Sequence, residues 1–243
     1  PNYESPADAG ANNVYNIQVT VTDSHGSPLT ANQSIAITVT DVNDSPSFTS
    51  ASSASVAENV TAVMTVAATD QDSGQTVSYS ITGGADQALF NIVPATGVLT
   101  FTSGRNFEAP SDANTDNVYV VQVTATDDDG GSPAPTNQMI SVTVTDANEA
   151  PTIGSGNTAS VAENQTSAID VNATDLDAGQ TLTYSISGGA DQALFTIVPG
   201  TGVVTFNSVP NYESPADAGA NNVYNIQVTV TDSHGSPLTA NQS

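Results

Sequence analysis

The chain has 243 residues, of which 37% are apolar, and a formal net charge of -24 from 25 acids against a single Lys or Arg, Arg105. That balance excludes nucleic acid and direct docking on anionic lipid, because both need clustered Lys and Arg. With no Cys and no Lys there is no disulfide, thiolate or lysine-derived cross-link, and no apolar run approaches the ~18 residues of a membrane span. The excess acid is then either solvating charge, which would scatter, or ligand for divalent cations, which would cluster.

In chain order, VYNIQVTVTD (14–23) alternates Tyr15, Ile17, Val19 and Val21 with Asn16, Gln18, Thr20 and Thr22, which predicts a half-buried strand. SIAITVTD (34–41) predicts another, with Ile35, Ile37 and Val39 inside. The acid-rich stretch DVNDSPSF (41–48) comes next, and then VAEN (56–59). Inward sets are expected at Met64, Val66 and Ala68, and at Val77, Tyr79 and Ile81. ADQALF (85–90) reads as a single helical turn, and Phe90, Ile92, Val98 and Phe101 should complete that core. VYVVQVTATD (118–127) gives Tyr119, Val121, Val123 and Ala125 on the inner face. DANEAPTI (146–153) repeats the acid-rich stretch 105 residues after the first.

That spacing is general. VAEN recurs at 161–164, ATDQD (68–72) answers ATDLD (173–177), and the 23 residues from Tyr79 recur from Tyr184 with four differences. Residues 1–34 return unchanged at 210–243. The chain is a tandem array, with the C-terminal part of one repeat over 1–46, a whole repeat over 47–150 and most of a third over 151–243. Each repeat holds about seven short strands, separated by Gly, Pro, Asn and Asp clusters. The fold expected is all-β: seven-stranded antiparallel Greek-key sandwiches of immunoglobulin-like type, joined end to end, since half-polar sheets hide their apolar faces against each other. The identical ends imply a 209-residue block within a longer protein. The third repeat lacks the strand equivalent to 35–40, so its sheet should have an open edge, weak unless a neighbouring chain supplies the strand.

The acids fall at the ends of these strands, where the poles of stacked sandwiches would meet. Carboxylates gathered there repel without a cation. Oxygen donors without His or Cys make a hard-ion site, and many ligands in irregular geometry favour Ca²⁺ over Mg²⁺.

VAEN, NYE or NFE, ATDxD, TDSHG or TDDDG, and DVNDSP or DANEAP, in this order and repeated, resemble the calcium-binding motifs of cadherin repeats. The similarity is greatest to the bacterial cadherin-like repeats of large surface adhesins and filaments. TGV at 96–98 and 201–203 fits the same family. The resemblance implies two to three Ca²⁺ at each inter-domain link. The first link would use Glu4, Asp41, Asn43, Asp44, Asp70, Asp72 and Asp127, with the carbonyl of Val42. The second would use Glu58, Glu108, Asp146, Asn148, Glu149, Asp175, Asp177 and Asp232, with the carbonyl of Ala147. Asp23 belongs to a link before Pro1, and Glu163 and Glu213 to one beyond Ser243. Asn2, Asn106 and Asn211 stand where the family usually has Asp; Asn106 remains a candidate ligand through its amide oxygen. Glu149 also replaces an Asp, and no Trp is present for a strand swap of the vertebrate type.

Asp8, Asp112, Asp116 and Asp217 read as turn residues that bond their own backbone. His25 and His234 sit singly in turns and form no triad. No carboxylate pair with a nucleophile–base set marks an enzyme. The sequons at Asn59, Asn164 and Asn172 are taken as chance. Tyr3 and Tyr212 are the aromatics not placed inside, and they carry the alternative of a glycan-binding module. The reading is a calcium-stiffened extracellular adhesion repeat at a bacterial cell surface, acting as a stalk or filament segment. Its partners are the neighbouring repeats, with homotypic lateral or head-to-tail association and no membrane insertion.

Overall fold

The computed structural model describes residues 1–128 and 135–243, and divides into two compact units, Pro1–Thr145 and Asp146–Ser243. Within TDDDG, Asp129 and Gly130 lie outside the described residues.

Unit 1 opens with a hairpin of β1 (Val14–Thr22) and β2 (Thr30–Thr38). The sandwich comes after it: β3 (Ser47–Phe48), β4 (Ser53–Ala57), β5 (Ala62–Thr65), β6 (Ala68–Thr69), β7 (Ser78–Gly83), β8 (Phe90–Ile92), β9 (Val98–Phe101), β10 (Val118–Thr126) and β11 (Thr136–Thr145). One sheet runs β4-β11-β10-β7 and the other β5-β9-β8, with β3 paired to β6 beside them. The chain crosses between the sheets from β4 to β5, β7 to β8 and β9 to β10, the Greek-key route. Pairing is antiparallel except for β4, which lies parallel to β11 and so departs from the expected fully antiparallel sandwich. It reaches the far edge of the sheet by a long connection, and a long connection permits parallel pairing where a tight hairpin does not.

The all-β sandwich expected from alternation is present. Tyr119, Val121, Val123 and Ala125 of β10 are fully buried against Val66, Tyr79, Phe90, Leu99 and Phe101, and ADQALF makes a 3-10 turn at Gln87–Leu89. Two inward assignments are corrected. Val98 is exposed and Leu99 is buried in its place, because a two-residue period that keeps Phe101 inside puts 99 there and 98 outside. Ile35 and Ile37 are also exposed, Val39 is half-buried, and Ile17, Val19 and Val21 of the paired strand β1 are exposed too. Their alternation is real, but among the described residues β1 and β2 pair only with each other and no second sheet pairs beside them to cover their apolar face.

Unit 2 repeats the sandwich with β12 (Thr152–Ile153), β13 (Ser167–Asp170), β14 (Ala173–Thr174), β15 (Thr183–Gly188), β16 (Phe195–Ile197), β17 (Val203–Phe206), β18 (Gln227–Thr231) and β19 (Thr239–Gln242). Its sheets are β13-β17-β16, β15-β18-β19 and the pair β12-β14. Phe195, Phe206 and Tyr224 stack at centroid distances of 4.4–5.9 Å in its core, with Val171, Tyr184, Val204, Val228 and Val230 around them.

Candidate metal centre

β6 ends at Thr69, and the chain turns through Asp70 and Asp72. The Asp72 amide donates to Asp70 Oδ1 at 2.9 Å, and the Asp44 amide donates to Asp72 Oδ2 at 2.7 Å. One oxygen of each carboxylate is thus fixed by backbone. The other two, Asp70 Oδ2 and Asp72 Oδ1, are buried with no hydrogen-bond donor among the described residues. Unit 2 repeats this atom for atom. The Asp177 amide donates to Asp175 Oδ1 at 3.0 Å, the Glu149 amide donates to Asp177 Oδ2 at 3.0 Å, and Asp175 Oδ2 and Asp177 Oδ1 are buried without a donor. An anionic oxygen removed from water and given no donor is strongly disfavoured. A cation is the partner that relieves it, and this donor set fits one.

Around the unit 1 pair, carboxylate oxygens of Glu4, Asp41 and Asp72 all lie within 4.8 Å of one another. Asn2 Oδ1 accepts the Glu4 amide at 2.9 Å and fixes the turn that presents Glu4. The backbone bond at Glu4 lowers its carboxyl pKa, but desolvation and the neighbouring charges of Asp44, Asp41 and Asp72 push the other way, and the net shift is upward. Asn43 Nδ2 donates to Asp127 Oδ2 at 3.2 Å. This brings the first Asp of TDDDG to the stretch between β2 and β3. In unit 2, Asn148 Nδ2 reaches Asp232 Oδ2 at 3.1 Å. Burial pushes the Asp232 carboxyl up, but amides of Leu238, Asn148 and His234 outweigh it and hold it below the usual carboxylate range.

Glu58 is buried in unit 1, where its Oε2 accepts the Phe107 amide at 3.1 Å, tying VAEN to the stretch that carries Asn106 and Glu108. Asn106 Oδ1 accepts the Ala109 amide at 2.5 Å, the same turn duty that Asn2 and Asn211 perform. Glu108, Asn148 and Glu149 are half-buried, while Asp146 and Glu163 are exposed. Asp8 accepts three backbone amides, and Asp112 and Asp217 accept two each, as expected of turn residues.

Two sets of residues carry no recognisable motif in the sequence. Gln75 Nε2 donates to Asn43 Oδ1 at 2.7 Å, and Gln180 Nε2 to Asn148 Oδ1 at 2.9 Å, so each glutamine holds the amide of the acid-rich stretch in place. Their signal was an offset of three residues after the second Asp of ATDxD in both repeats. Asp86 and Asp191 are buried carboxylates that accept pairs of backbone amides, from Ala113 and Val120 and from Ala218 and Asn225, at 2.7–2.8 Å. The Asp of ADQALF was their only mark.

The donors are carboxylate, amide and backbone oxygens, with neither His nor Cys among the assigned ligands. Such a set selects a hard cation, and its irregular disposition suits Ca²⁺, which takes six to eight oxygens, better than the strict octahedron of Mg²⁺.

The family model described as Cadherin domain matches residues 52–145 and 157–243. The chain is similar to mouse protocadherin Fat 4, with 31% identity over 92% of this chain, and to human protocadherin-23, with 35% identity over 88%. It spans 5% and 6% of the length of these relatives. Among solved structures it resembles mouse cadherin-23 EC22-24, with 25% identity and a TM-score of 0.56 over all of this chain and 74% of that one. It also resembles protocadherin gamma B2 extracellular cadherin domains 3-6, with 26% identity and a TM-score of 0.57 over 97% of this chain and 60% of that one. The chain therefore belongs to the cadherin domain family, whose domains are calcium-binding in general.

Proposed function

We propose that this stretch of chain is a run of calcium-stiffened repeats in a large extracellular surface protein of the bacterial cadherin-like kind, serving as a stalk or filament segment. The observation that carries the reading is the recurrence, in both units, of paired Asp oxygens that are buried and have no donor among the described residues, at Asp70 and Asp72 and at Asp175 and Asp177. In the first link, Glu4 and Asp41 come from the partial repeat 1–46, and Asp70, Asp72 and Asp127 from the repeat 47–150. One ion ligated by both sets turns a self-repelling joint into a cross-link. The corresponding set in the second link is Glu58, Glu108, Asp146, Asn148, Glu149, Asp175, Asp177 and Asp232, with the third repeat over 151–243. Two to three Ca²⁺ serve each link.

When bound, the ion supplies positive charge and coordination. The residues do the rest: Asp70 and Asp72 present fixed oxygens, Asn43 and Gln75 hold the linking stretch, and Glu4 closes from the preceding repeat. Ligation favours the ordered link, so the ion also stabilises the fold by mass action. An affinity in the range of ~10⁻⁴–10⁻³ M suits an extracellular medium.

Thermal melting and small-angle X-ray scattering, with millimolar Ca²⁺ and then with chelator, test this. Chelation is expected to lower the melting point and shorten the maximum dimension, with Ca²⁺ but not Mg²⁺ restoring both. No change in either quantity would leave the acids as solvating charge. The exposed Tyr3 and Tyr212 would then be tested on glycan arrays.

A further inference from the structure

Arg105 is the single Lys or Arg of the chain, and it is only 6% exposed. Its guanidinium lies over the Phe101 ring, 5.4 Å from the centroid, and Phe101 packs on Phe90 and Tyr119 in the core. Nε donates to the Ser103 carbonyl at 2.8 Å, Nη1 to Ser111 Oγ at 3.3 Å, and Nη2 to Thr102 Oγ1 at 3.4 Å and to Ser103 Oγ. All of these acceptors are neutral. Burying a charge without a counter-ion is costly, so in a chain with 25 acids the placement calls for a reason other than ion pairing.

The reason lies in what the bonds enclose. Thr102 and Ser103 directly succeed β9, and Ser111 is tied to the core a second time, because its amide donates to the Tyr119 hydroxyl at 3.2 Å. Between these two anchors runs the NFE turn, Asn106 to Glu108. Two contacts join this segment to VAEN: the Asn59 amide donates to the Arg105 carbonyl at 2.8 Å, and the Phe107 amide to Glu58 Oε2 at 3.1 Å. A guanidinium, with its donors fixed in one planar fork, suits the bridging of two stretches of chain at once. Unit 2 makes the same two contacts with other residues. The Asn164 amide donates to the Pro210 carbonyl at 3.1 Å, and the Tyr212 amide to Glu163 Oε2 at 2.9 Å. There Pro210 stands in the place of Arg105 and Ala216 in the place of Ser111. Proline fixes its own φ, so unit 2 sets by a ring what unit 1 sets by a side-chain clamp.

We infer that Arg105 is a positioning residue for the metal centre: its guanidinium clamps Thr102 and Ser103 to Ser111 and so holds the NFE turn where Glu58 and Glu108 present oxygens to a cation. The inference rests on the calcium reading. A clamp and a bare charge predict opposite signs. As a charge alone, Arg105 repels Ca²⁺, and its removal would strengthen binding. As a clamp, its removal weakens binding by roughly 10–100-fold, the usual cost of losing a residue that orients metal ligands.

The test uses the full chain. Ca²⁺ titration is followed by NMR at the Glu108 and Asp72 amides, and hydrogen exchange at the Asn59 and Phe107 amides is measured in chelator. The variants are Arg105→Gln and the pair Arg105→Pro with Ser111→Ala, which installs the solution of unit 2. Arg105→Gln is expected to raise the Ca²⁺ midpoint at Glu108 by roughly tenfold or more, to leave the midpoint at Asp72 unchanged, and to lose exchange protection at Asn59 and Phe107 without metal. The paired variant is expected to restore both the midpoint and the protection. A wild type that binds Ca²⁺ while Arg105→Gln leaves the Glu108 midpoint unchanged or lower overturns the inference alone. So does an equal rise at Asp72, which would mark a general loss of fold, or a paired variant as weak as Arg105→Gln. A wild type in which neither amide responds to Ca²⁺ overturns the calcium reading, and this inference with it.

Discussion

Asp86 and Asp191 are buried carboxylates, each accepting two backbone amides from a distant segment. Asp191→Ala should destabilise unit 2 by about 3 kcal/mol, because it removes two hydrogen bonds to a charged acceptor, each worth roughly 1.5–3 kcal/mol; urea denaturation measures it, and a change under ~0.5 kcal/mol would refute the role. Asp217 works locally. The Asn221 amide holds its carboxyl below the usual range against desolvation, and the Asn222 amide adds to this. A folded pKa below the unfolded value stabilises above the unfolded pKa and is lost as pH falls through the folded one. Melting of the wild type should thus weaken as pH falls below ~4, and Asp217→Asn should flatten that dependence. At this scale the candidate ligands were legible because Asp and Glu recur in fixed motifs. Gln75 and Gln180 were not, since a glutamine in a polar loop looks the same whether or not it holds an asparagine.

The same nine residues, VYNIQVTVT, occur twice and meet two environments. Val19 and Val21 of β1 are 47% and 67% exposed, whereas their copies Val228 and Val230 in β18 are 4% and 0% exposed. Val230→Ala should therefore cost about 2 kcal/mol, from two buried methyl-sized groups and the cavity left behind. Val21→Ala should cost less than ~0.5 kcal/mol. Equal effects in chemical denaturation would contradict the burial difference. Backbone geometry makes an equally local demand in the TGV turns. Gly97 has φ +68°, and an added Cβ would lie 2.0 Å from the Val66 carbonyl oxygen; Gly202, at φ +75°, would meet that of Val171 at 2.1 Å. Either glycine changed to Ala should lower stability by at least ~2 kcal/mol, read by thermal melting, since the clash is with backbone and adds to the unfavourable φ.

Over the whole molecule, 25 acids against one base leave no internal cation able to neutralise the links. Arg105, the one base, is buried over the Phe101 ring and bonded to Ser103, Ser111 and Thr102. The calcium reading therefore predicts that Asp72→Asn and Asp177→Asn each weaken Ca²⁺ binding by tenfold or more in titration calorimetry, because each removes charge from an oxygen with no other partner. Exposed acids changed in the same way, such as Asp116→Asn, should leave binding unchanged. If Asp116→Asn weakens it as much as Asp72→Asn, the affinity is diffuse charge attraction and not a built site.

The sequence by itself determined the all-β class, the 105-residue period, the inward face of β10 and the acidic motifs at strand ends, because alternation and repetition are properties of neighbouring residues along the chain. It placed Tyr15, Ile17, Val19 and Val21 on one face correctly. Whether that face is covered was decided by tertiary structure alone: burial needs an opposing sheet, which the alternation within one strand does not specify. The same holds for the parallel partner of β4, for the two amides that converge on Asp86 from 27 and 34 residues away, and for the carboxylate oxygens left without a donor. Each is a relation between segments distant in sequence, fixed only when the two sheets close on one another.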